Sequence, residues 1–216
     1  MSYTCLIPVF NTPPAHLIVA VDSVLNQNGI KCPVVIIDDG SKDKGTRDAL
    51  EKLKSDRVTV HRLDNNYGTP TALNYGHEII QSEWIFLMGS DDINSPHRFG
   101  TQAEYQRTHP EVDVIGTWLW AFREGKTPFN RNDALFRFEH AEVPSPRMYP
   151  SHHPYFMVNH GTVLYRNQVV KDGGLYNTKW KRGQDVELWE RLYKAGAKFR
   201  NVTRVLYAMR RGPNAK

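Results

Sequence analysis

The sequence predicts an α/β fold in a single domain, with a mainly parallel central sheet and helices on both of its faces. Its length of 216 residues lies within the range of one hydrophobic core. Its first half alternates short apolar runs with stretches in which apolar residues recur at helical spacing. The apolar runs are hydrophobic on both faces, which is typical of parallel strands that helices cover on both sides.

Five apolar runs are predicted to be strands, and four amphipathic stretches are predicted to be the helices between them. In the first stretch, Leu17, Val21 and Val24 share one helical face, and Gly29 marks its end. The predicted strands cover residues 4–8, 33–37, 58–63, 84–88 and 112–116. The predicted helices cover residues 13–29, 46–53, 69–80 and 96–106.

The second half of the chain predicts fewer regular elements. Residues 117–153 are rich in aromatic, proline and charged residues without clear periodicity, so we interpret them as a loop-rich or hairpin insertion that could cover a site. Beyond it we expect a strand, a helix and a strand, over residues 161–165, 183–195 and 199–207. The single domain is therefore divided into residues 1–116, residues 117–209 and a loose basic tail, 210–216.

Composition excludes several classes of protein. The values of 40% hydrophobic and 24% charged residues are those of a soluble globular chain. No apolar run approaches the roughly 20 residues of a transmembrane helix, and the N-terminus lacks the features of a signal peptide, so we expect a cytoplasmic protein. The net charge of +5 favours anionic ligands. Cys5 and Cys32 are too few for a zinc site and are expected to be reduced, buried thiols.

Two acidic pairs follow predicted strands and should lie at the same edge of the sheet. Asp38 and Asp39 follow the second strand, and Asp91 and Asp92 follow the fourth. Adjacent carboxylates repel one another unless a cation lies between them, and hard oxygen ligands suit Mn²⁺ or Mg²⁺ carrying a diphosphate. The alternative, that both pairs are turns and helix caps, remains open at this point.

Familiar phosphate-binding loops do not fit this sequence. Residues 40–46 have the glycine spacing of a P-loop, but Thr46 stands where the phosphate-binding lysine is required. No Gly-x-Gly-x-x-Gly follows the first predicted strand. Both observations weigh against an ATPase and against a dinucleotide-binding enzyme.

Five short motifs follow one another along the chain: IPVFN at 7–11, DDGS at 38–41, NNYG at 65–68 continuing to ALN at 72–74, GSDD at 89–92 and GQD at 183–185. In this order they resemble the motifs of the glycosyltransferase family 2 enzymes, which have the GT-A fold, a Rossmann-like α/β domain. The resemblance spans roughly residues 3–195, and the order of the motifs makes it more specific than any single motif.

The resemblance implies a donor site for a nucleotide-sugar, with a UDP-sugar as the expected donor. Asp39 would accept a hydrogen bond from N3 of uracil, and Asp38 would support that turn. Asp92, with Asp91, would bind the Mn²⁺ or Mg²⁺ that bridges the two phosphates. The donor-binding residues that it implies are Pro8, Val9, Phe10, Asn11, Asp38, Asp39, Asn66, Gly68 and Asp91.

The same resemblance implies that Asp185 is the general base that deprotonates the acceptor hydroxyl, in an inverting reaction. His160, Gln184 and Trp189 would lie on the acceptor side. Helix periodicity places Asp185 on the face of Leu188, Trp189 and Leu192, although a simple helix-capping role for Asp185 stays open.

Two positions depart from the family pattern. Gly89 stands where many members carry the first aspartate of Asp-x-Asp, which predicts fewer protein ligands for the metal. Gln184 stands where a glutamate is common before the base, which removes a charge near the acceptor. Neither change deletes Asp92 or Asp185.

The sequence therefore predicts an inverting, metal-dependent glycosyltransferase. The acceptor stays open among a saccharide, a protein and a nucleic acid, and a homodimer is one option for the assembly. A sugar nucleotidyltransferase is one alternative, but residues 11–14 lack its Gly-rich basic loop. The other is a non-catalytic module that binds nucleic acid or glycan, but the cations are scattered apart from residues 179–182 and the tail.

Four histidines in the second half of the chain could indicate a metal site. Their spacing matches no zinc pattern, so solvated loop histidines are the favoured interpretation. The four are His140, His152, His153 and His160.

Overall fold

The computed structural model describes residues 1–144 and 157–212, and His152, His153 and residues 213–216 lie outside these ranges. The strands are β1 (Tyr3–Val9), β2 (Val34–Asp38), β3 (Val58–Arg62), β4 (Trp84–Leu87), β5 (Ile93–Asn94), β6 (Val114–Arg123), β7 (Ala134–Phe138), β8 (Leu164–Arg166) and β9 (Phe199–Arg211). The helices are α1 (Pro14–Leu25), α2 (Lys44–Leu53), α3 (Thr69–Ile79), α4 (Arg98–Thr108), α5 (Asn167–Asp172) and α6 (Gln184–Lys194).

The described strands form one sheet in the order β3-β2-β1-β4-β8-β6-β9-β5, and β7 pairs with β6. Strands β1 to β4, β6 and β9 share one direction, whereas β5, β7 and β8 run against it. The predicted α/β class with a mainly parallel sheet is therefore confirmed. The carboxyl ends of β1, β2 and β4 meet at one edge, where ligands bind in such sheets.

Helices cover both faces of the sheet, as predicted. Along β1, Cys5 and Ile7 belong to one apolar cluster and Leu6 to the other, because successive side chains of a strand point to opposite faces. The first cluster includes residues of α1, α2 and α4, and the second includes residues of α3, α5 and α6. Cys5 and Cys32 are buried free thiols. Burial raises the pKa of both, to about 12 for Cys32.

The second half contains more regular structure than its sequence pattern indicates. The expected boundary at residue 117 falls inside β6, which continues to Arg123 and forms a hairpin with β7. Arg210 and Arg211, predicted to lie in a loose tail, are instead the last residues of β9 and pair with Phe122 and Arg123 of β6. The tail prediction is wrong for them because this parallel ladder satisfies their backbone groups.

Two shorter stretches also differ from expectation. Residues His160–Thr162 form a 3₁₀ turn, so the strand predicted over 161–165 begins only at Leu164, as β8. None of the helices within residues 1–144 and 157–212 combines the length and the apolarity needed to cross a bilayer.

Candidate functional site

Three cavities follow one another along the carboxyl edge of the sheet. The first has a volume of about 200 Å³ and the other two about 260 Å³ each. The first and second share Pro8, Thr69 and Ser90, and the second and third share Asp92 and Gly161, together with His160. The three cavities therefore form one continuous groove.

Asp39 lies in the first cavity, together with Pro8, Val9 and Phe10. Its two carboxylate oxygens accept hydrogen bonds of 2.8 Å from the backbone N–H groups of Tyr67 and Gly68. These bonds tie the end of β2 to the loop that precedes α3.

The loop that Asp39 holds requires a glycine at its end. Gly68 has a φ of 97°, a conformation that glycine adopts most readily. Asn66, predicted to contact the donor, is exposed, and its side chain accepts a hydrogen bond from the N–H of Gly68. The structure thus assigns Asn66 and Gly68 to the shape of this loop.

Asp38 and Asn11 hold the turn beside the first cavity and do not line it. Asp38 is buried and accepts from Ser41 N at 2.9 Å and from Arg62 Nη1 at 3.0 Å. The Asn11 side chain accepts from the N–H groups of Lys42 and Asp43. Both residues therefore act on the cavity through the turn over residues 38–43.

Asp91 and Asp92 lie in the second cavity, and Asp92 is only 8% exposed. Asp92 accepts hydrogen bonds from Tyr207 Oη at 2.6 Å and from Arg210 N at 2.7 Å. Burial raises the pKa of Asp92 to about 7, the neighbouring charge of Asp91 adds to this, and burial also raises the pKa of Asp91. Burial and mutual repulsion disfavour the charged forms of these two neighbouring carboxylates. A cation bound between them would stabilise the charged forms.

Gly89 gives Asp92 the space that it occupies. A Cβ atom at this position would lie 2.4 Å from Asp92 Oδ2 and 3.4 Å from Tyr207 Oη. The Gly89 N–H donates to Tyr207 Oη at 3.0 Å. An aspartate at residue 89 would displace Asp92, so the departure from the family pattern and the position of Asp92 are linked.

The protein offers few ligands for a metal. Among residues 1–144 and 157–212, no group of three or more histidine, cysteine or acidic side chains is placed to hold one. A metal held by the pair Asp91 and Asp92 in the second cavity would therefore need further ligands, from the substrate and water.

Asp185 lies in the third cavity, with Asn159, His160 and Arg211. The N-cap of α6 is Gly183, and Asp185 occupies the first helical turn, where the helix dipole favours a carboxylate. His160 Nε2 lies 2.9 Å from Tyr176 Oη. Burial lowers the pKa of His160, and the nearby charge of Asp185 opposes this shift.

Trp189 and Gln184, which are predicted to lie on the acceptor side, are not among the residues that line the three cavities. Trp189 is fully buried and packs edge-on against His160, with ring centroids 6.0 Å apart, and against Phe199. It lies behind His160 because it shares the core-facing side of α6 with Leu188. Gln184 is half-buried at the first position of α6.

Several residues of the groove were missed from the sequence. Tyr207, Met209 and Arg211 line the third cavity because alternate residues of β9 share one face. That alternation is visible in the sequence and could have identified them had the strand been extended past residue 207. Other missed lining residues are Thr69, Ser90, Asn159 and Gly161.

Comparison with known structures places the fold. The chain is similar to TarS of S. aureus (residues 1–349) in complex with UDP, with a TM-score of 0.76, 18% identity, and coverage of 99% of this chain and 61% of that one. The same TarS segment in complex with UDP-GlcNAc gives a TM-score of 0.76 at 17% identity, covering 98% and 59% of the two chains. The expected GT-A fold is thereby confirmed, and this chain spans about three fifths of the TarS segment.

Comparison of sequences gives the family. The chain is 26% identical over 217 residues to the amylovoran biosynthesis glycosyltransferase AmsE of Erwinia amylovora. This alignment covers 97% of this chain and 76% of AmsE. The family model described as "Glycosyl transferase family 2" matches residues 4–173. Because that match takes in most of the chain, including the first two cavities of the groove, the chain belongs to glycosyl transferase family 2.

Proposed function

We propose that this chain is an inverting, metal-dependent glycosyltransferase that transfers a sugar from a nucleoside diphosphate to an acceptor hydroxyl, with UDP as the expected nucleotide. The continuous groove carries this proposal. It places Asp39 at one end, Asp91 and Asp92 in the middle and Asp185 at the other end. This order matches that of the nucleobase, the diphosphate and the acceptor when a nucleotide-sugar and an acceptor are bound together. The TarS complexes with UDP and UDP-GlcNAc support the choice of UDP.

Asp39 is suited to uracil recognition. Each of its oxygens accepts one backbone hydrogen bond and keeps a lone pair for a further donor. Uracil has an N–H at N3, whereas cytosine has an acceptor there. A carboxylate held in this way therefore favours uracil over cytosine.

Asp91 and Asp92 fit a divalent cation. They provide hard oxygen donors at the centre of the groove, and burial raises the pKa of both although the charge of Arg210 opposes this shift. Bound there with the diphosphate, Mn²⁺ or Mg²⁺ would stabilise the charge of the leaving group. Arg210 lies on the same side, because its Nε donates to the Asp91 carbonyl oxygen at 2.9 Å.

Asp185, which lines the third cavity, would act as the general base. The acceptor hydroxyl oxygen forms a bond to the anomeric carbon while the bond from that carbon to the diphosphate breaks, and the hydroxyl proton passes to the Asp185 carboxylate. Holding the acceptor in the third cavity and the diphosphate in the second aligns attack and departure on opposite faces of the sugar ring. This alignment inverts the anomeric configuration.

The proposal is tested by titration calorimetry with UDP, with Mn²⁺ or with EDTA, and by release of UDP from a UDP-sugar in the presence of acceptor mixtures. We expect UDP binding that requires Mn²⁺. Asp92→Asn should weaken this binding, whereas Asp185→Asn should leave binding intact and abolish transfer. Glu190→Gln is the matched control, because Glu190 lies on the same helix and pairs with Lys194 outside the groove.

Two results would contradict the proposal. Absence of UDP binding in the unmodified protein would remove the donor site. Equal loss of UDP binding in Asp92→Asn and Asp185→Asn would show that the two carboxylates do not have separate roles.

A further inference from the structure

We propose that the third cavity takes an acceptor that carries an anionic group, a carboxylate or a phosphate, close to its reacting hydroxyl, and that Arg211 binds this group. The inference rests on the proposed function and names the class of its acceptor. It depends on the position of Arg211, on the state of its guanidinium and on the other groups that line the cavity.

Strand alternation directs Arg210 and Arg211 to different places. Tyr207, Met209 and Arg211 line the third cavity, because residues two apart on β9 share a face. Arg210 extends towards Asp91 and Glu124, to which it donates hydrogen bonds of 2.9 Å from Nε and Nη1. Of the last two residues of β9, Arg211 therefore faces the third cavity, whereas Arg210 pairs with Glu124 beside Asp91.

The guanidinium of Arg211 has the features of a group prepared for an anion. Its Nε is buried and has no hydrogen-bond partner in the part of the chain that the structure describes, and no ion pair within that part includes Arg211. The guanidinium carbon lies 5.5 Å from the ring centroid of Phe136, which holds the side chain against the hairpin. A buried donor without a partner is costly, and a carboxylate or phosphate satisfies a guanidinium with two parallel hydrogen bonds.

The other groups of the cavity determine how such an acceptor would lie. Leu119, Phe138 and Met209 form an apolar wall, which suits the carbon skeleton of a sugar or a similar polyol. Asp185 and Asp92 would repel an anionic group placed beside them. The anionic group therefore belongs at Arg211, which leaves the neutral hydroxyl for Asp185.

A basic surface lies next to this cavity along the chain. Residues 179–182 have the sequence KWKR, are exposed and end three residues before Asp185, and Trp180 is 46% exposed. Exposed cations of this kind attract an anionic partner over several ångströms without fixing its position. They agree with an anionic acceptor, whereas Arg211 supplies the specific contact.

The test uses the full chain saturated with UDP and Mg²⁺, a diamagnetic cation, so that the diphosphate site is occupied. Inorganic phosphate and, separately, acetate are titrated as probes, with ligand-observed NMR as the readout. We expect saturable binding of at least one probe in the unmodified protein. Arg211→Gln should weaken it about tenfold or more, and Arg211→Lys less, because lysine keeps the charge but loses the paired donors.

Arg123→Gln is the matched control. Arg123 is exposed, lies opposite Arg211 in the β6–β9 ladder and does not line the cavity, so its loss removes the same charge at close range. We expect probe binding in this variant within about twofold of the unmodified protein. Thermal midpoints of all variants establish that each one is folded.

Absence of saturable probe binding in the unmodified protein, or equal losses in Arg211→Gln and Arg123→Gln, would overturn the inference. A preference for phosphate or for acetate distinguishes the two anionic groups. UDP binding is measured in the same samples. If UDP binds and neither probe does, the acceptor inference fails and the proposed function stands, whereas failure of UDP binding counts against the proposed function itself.

Discussion

Tyr207 donates a hydrogen bond of 2.6 Å from its hydroxyl to Asp92 Oδ2, across 115 positions of sequence. The same hydroxyl accepts a hydrogen bond from the Gly89 N–H. One buried side chain of β9 thus holds both the backbone after β4 and the central carboxylate of the groove. The proton that Tyr207 donates favours the charged form of Asp92, against the effect of burial.

Tyr207→Phe removes this hydroxyl and should destabilise the protein. Asp92 then keeps only the hydrogen bond from Arg210 N, and the Gly89 N–H loses its acceptor. Leaving buried polar groups without partners costs about 1–3 kcal/mol, so we expect a lower free energy of unfolding by that amount in urea titrations.

Tyr105→Phe is the control for Tyr207→Phe. Tyr105 donates a hydrogen bond of 3.0 Å to Glu142 at the surface, where water can replace it. Its loss should cost less than about 0.5 kcal/mol. Equal destabilisation by the two substitutions would show that the Tyr207 hydroxyl has no special role.

Gly89→Ala should displace Asp92 and weaken binding of UDP with Mn²⁺. The backbone of Gly89 does not have a positive φ, so any effect comes from the added Cβ atom, which would lie 2.4 Å from Asp92 Oδ2. Calorimetry should show a loss of affinity of about tenfold or more, because a shift of about 1 Å in a catalytic constellation has large effects. Gly212→Ala, where nothing lies within 4 Å of the added atom, should leave affinity unchanged. Unaltered affinity in Gly89→Ala would show that Asp92 can move without consequence.

Arg98→Lys should destabilise the protein even though it keeps the positive charge. Arg98 is fully buried, and a lysine at this position cannot reach all of the acceptors of a planar guanidinium. The expected loss is about 2–4 kcal/mol in the free energy of unfolding, against less than about 0.5 kcal/mol for Arg107→Lys at the surface. If Arg98→Lys lowers the free energy of unfolding by no more than Arg107→Lys does, the prediction is contradicted. The acceptors of Arg98 are the Asn94 and Gln102 side chains and the carbonyl oxygens of Leu87 and Val163.

His77 should make stability depend on pH in a specific direction. Burial lowers its pKa from 6.5 to about 4, so the unfolded chain binds a proton at this residue more readily than the native protein does. The stabilisation present above pH 6.5 is therefore lost as the pH falls towards 4, by roughly 2–4 kcal/mol. The raised pKa of Asp92 acts in the opposite sense, so the total slope does not isolate His77.

The measurement is consequently a difference. The free energy of unfolding of the unmodified protein minus that of His77→Gln should decrease as the pH is lowered from 6.5 to 4. An NMR titration of the His77 ring should give a pKa well below 6.5. A constant difference across this pH range, together with an ordinary ring titration, would exclude the effect.

Much of the fold could be predicted from the first half of the chain because its strands are apolar on both faces. A run such as residues 84–88 is recognisable without its partners. Strand β9 is different, because its sequence predicts a strand only over residues 199–207, and pairing with β6 extends it to Arg211. The third cavity depends on this extension, because Met209 and Arg211 line it.

The residues of the candidate site also differ in how well the sequence predicts them. Asp39, Asp92 and Asp185 follow or begin regular elements, and the structure brings all three to one groove. Trp189, predicted to lie on the acceptor side, has its side chain buried in the core, where it packs against His160. Asp185 and Trp189 are four residues apart and share one face of α6. Asp185 lies at the N-terminal end of the helix, beside the groove, whereas Trp189 lies one turn further along and is buried.

The irregular pairing of β6 with β9 lies between Thr117 and Leu119, just before the ladder resumes with Leu119 opposite Tyr207. A shift of one residue in that ladder would turn every following side chain to the other face. Arg210 would then enter the third cavity, Arg211 would leave it, and the Tyr207 hydroxyl would lose Asp92. The hydrogen bond between Tyr207 and Asp92 therefore favours the observed register of β9, and the same register that completes the surroundings of Asp92 also places Arg211 in the third cavity.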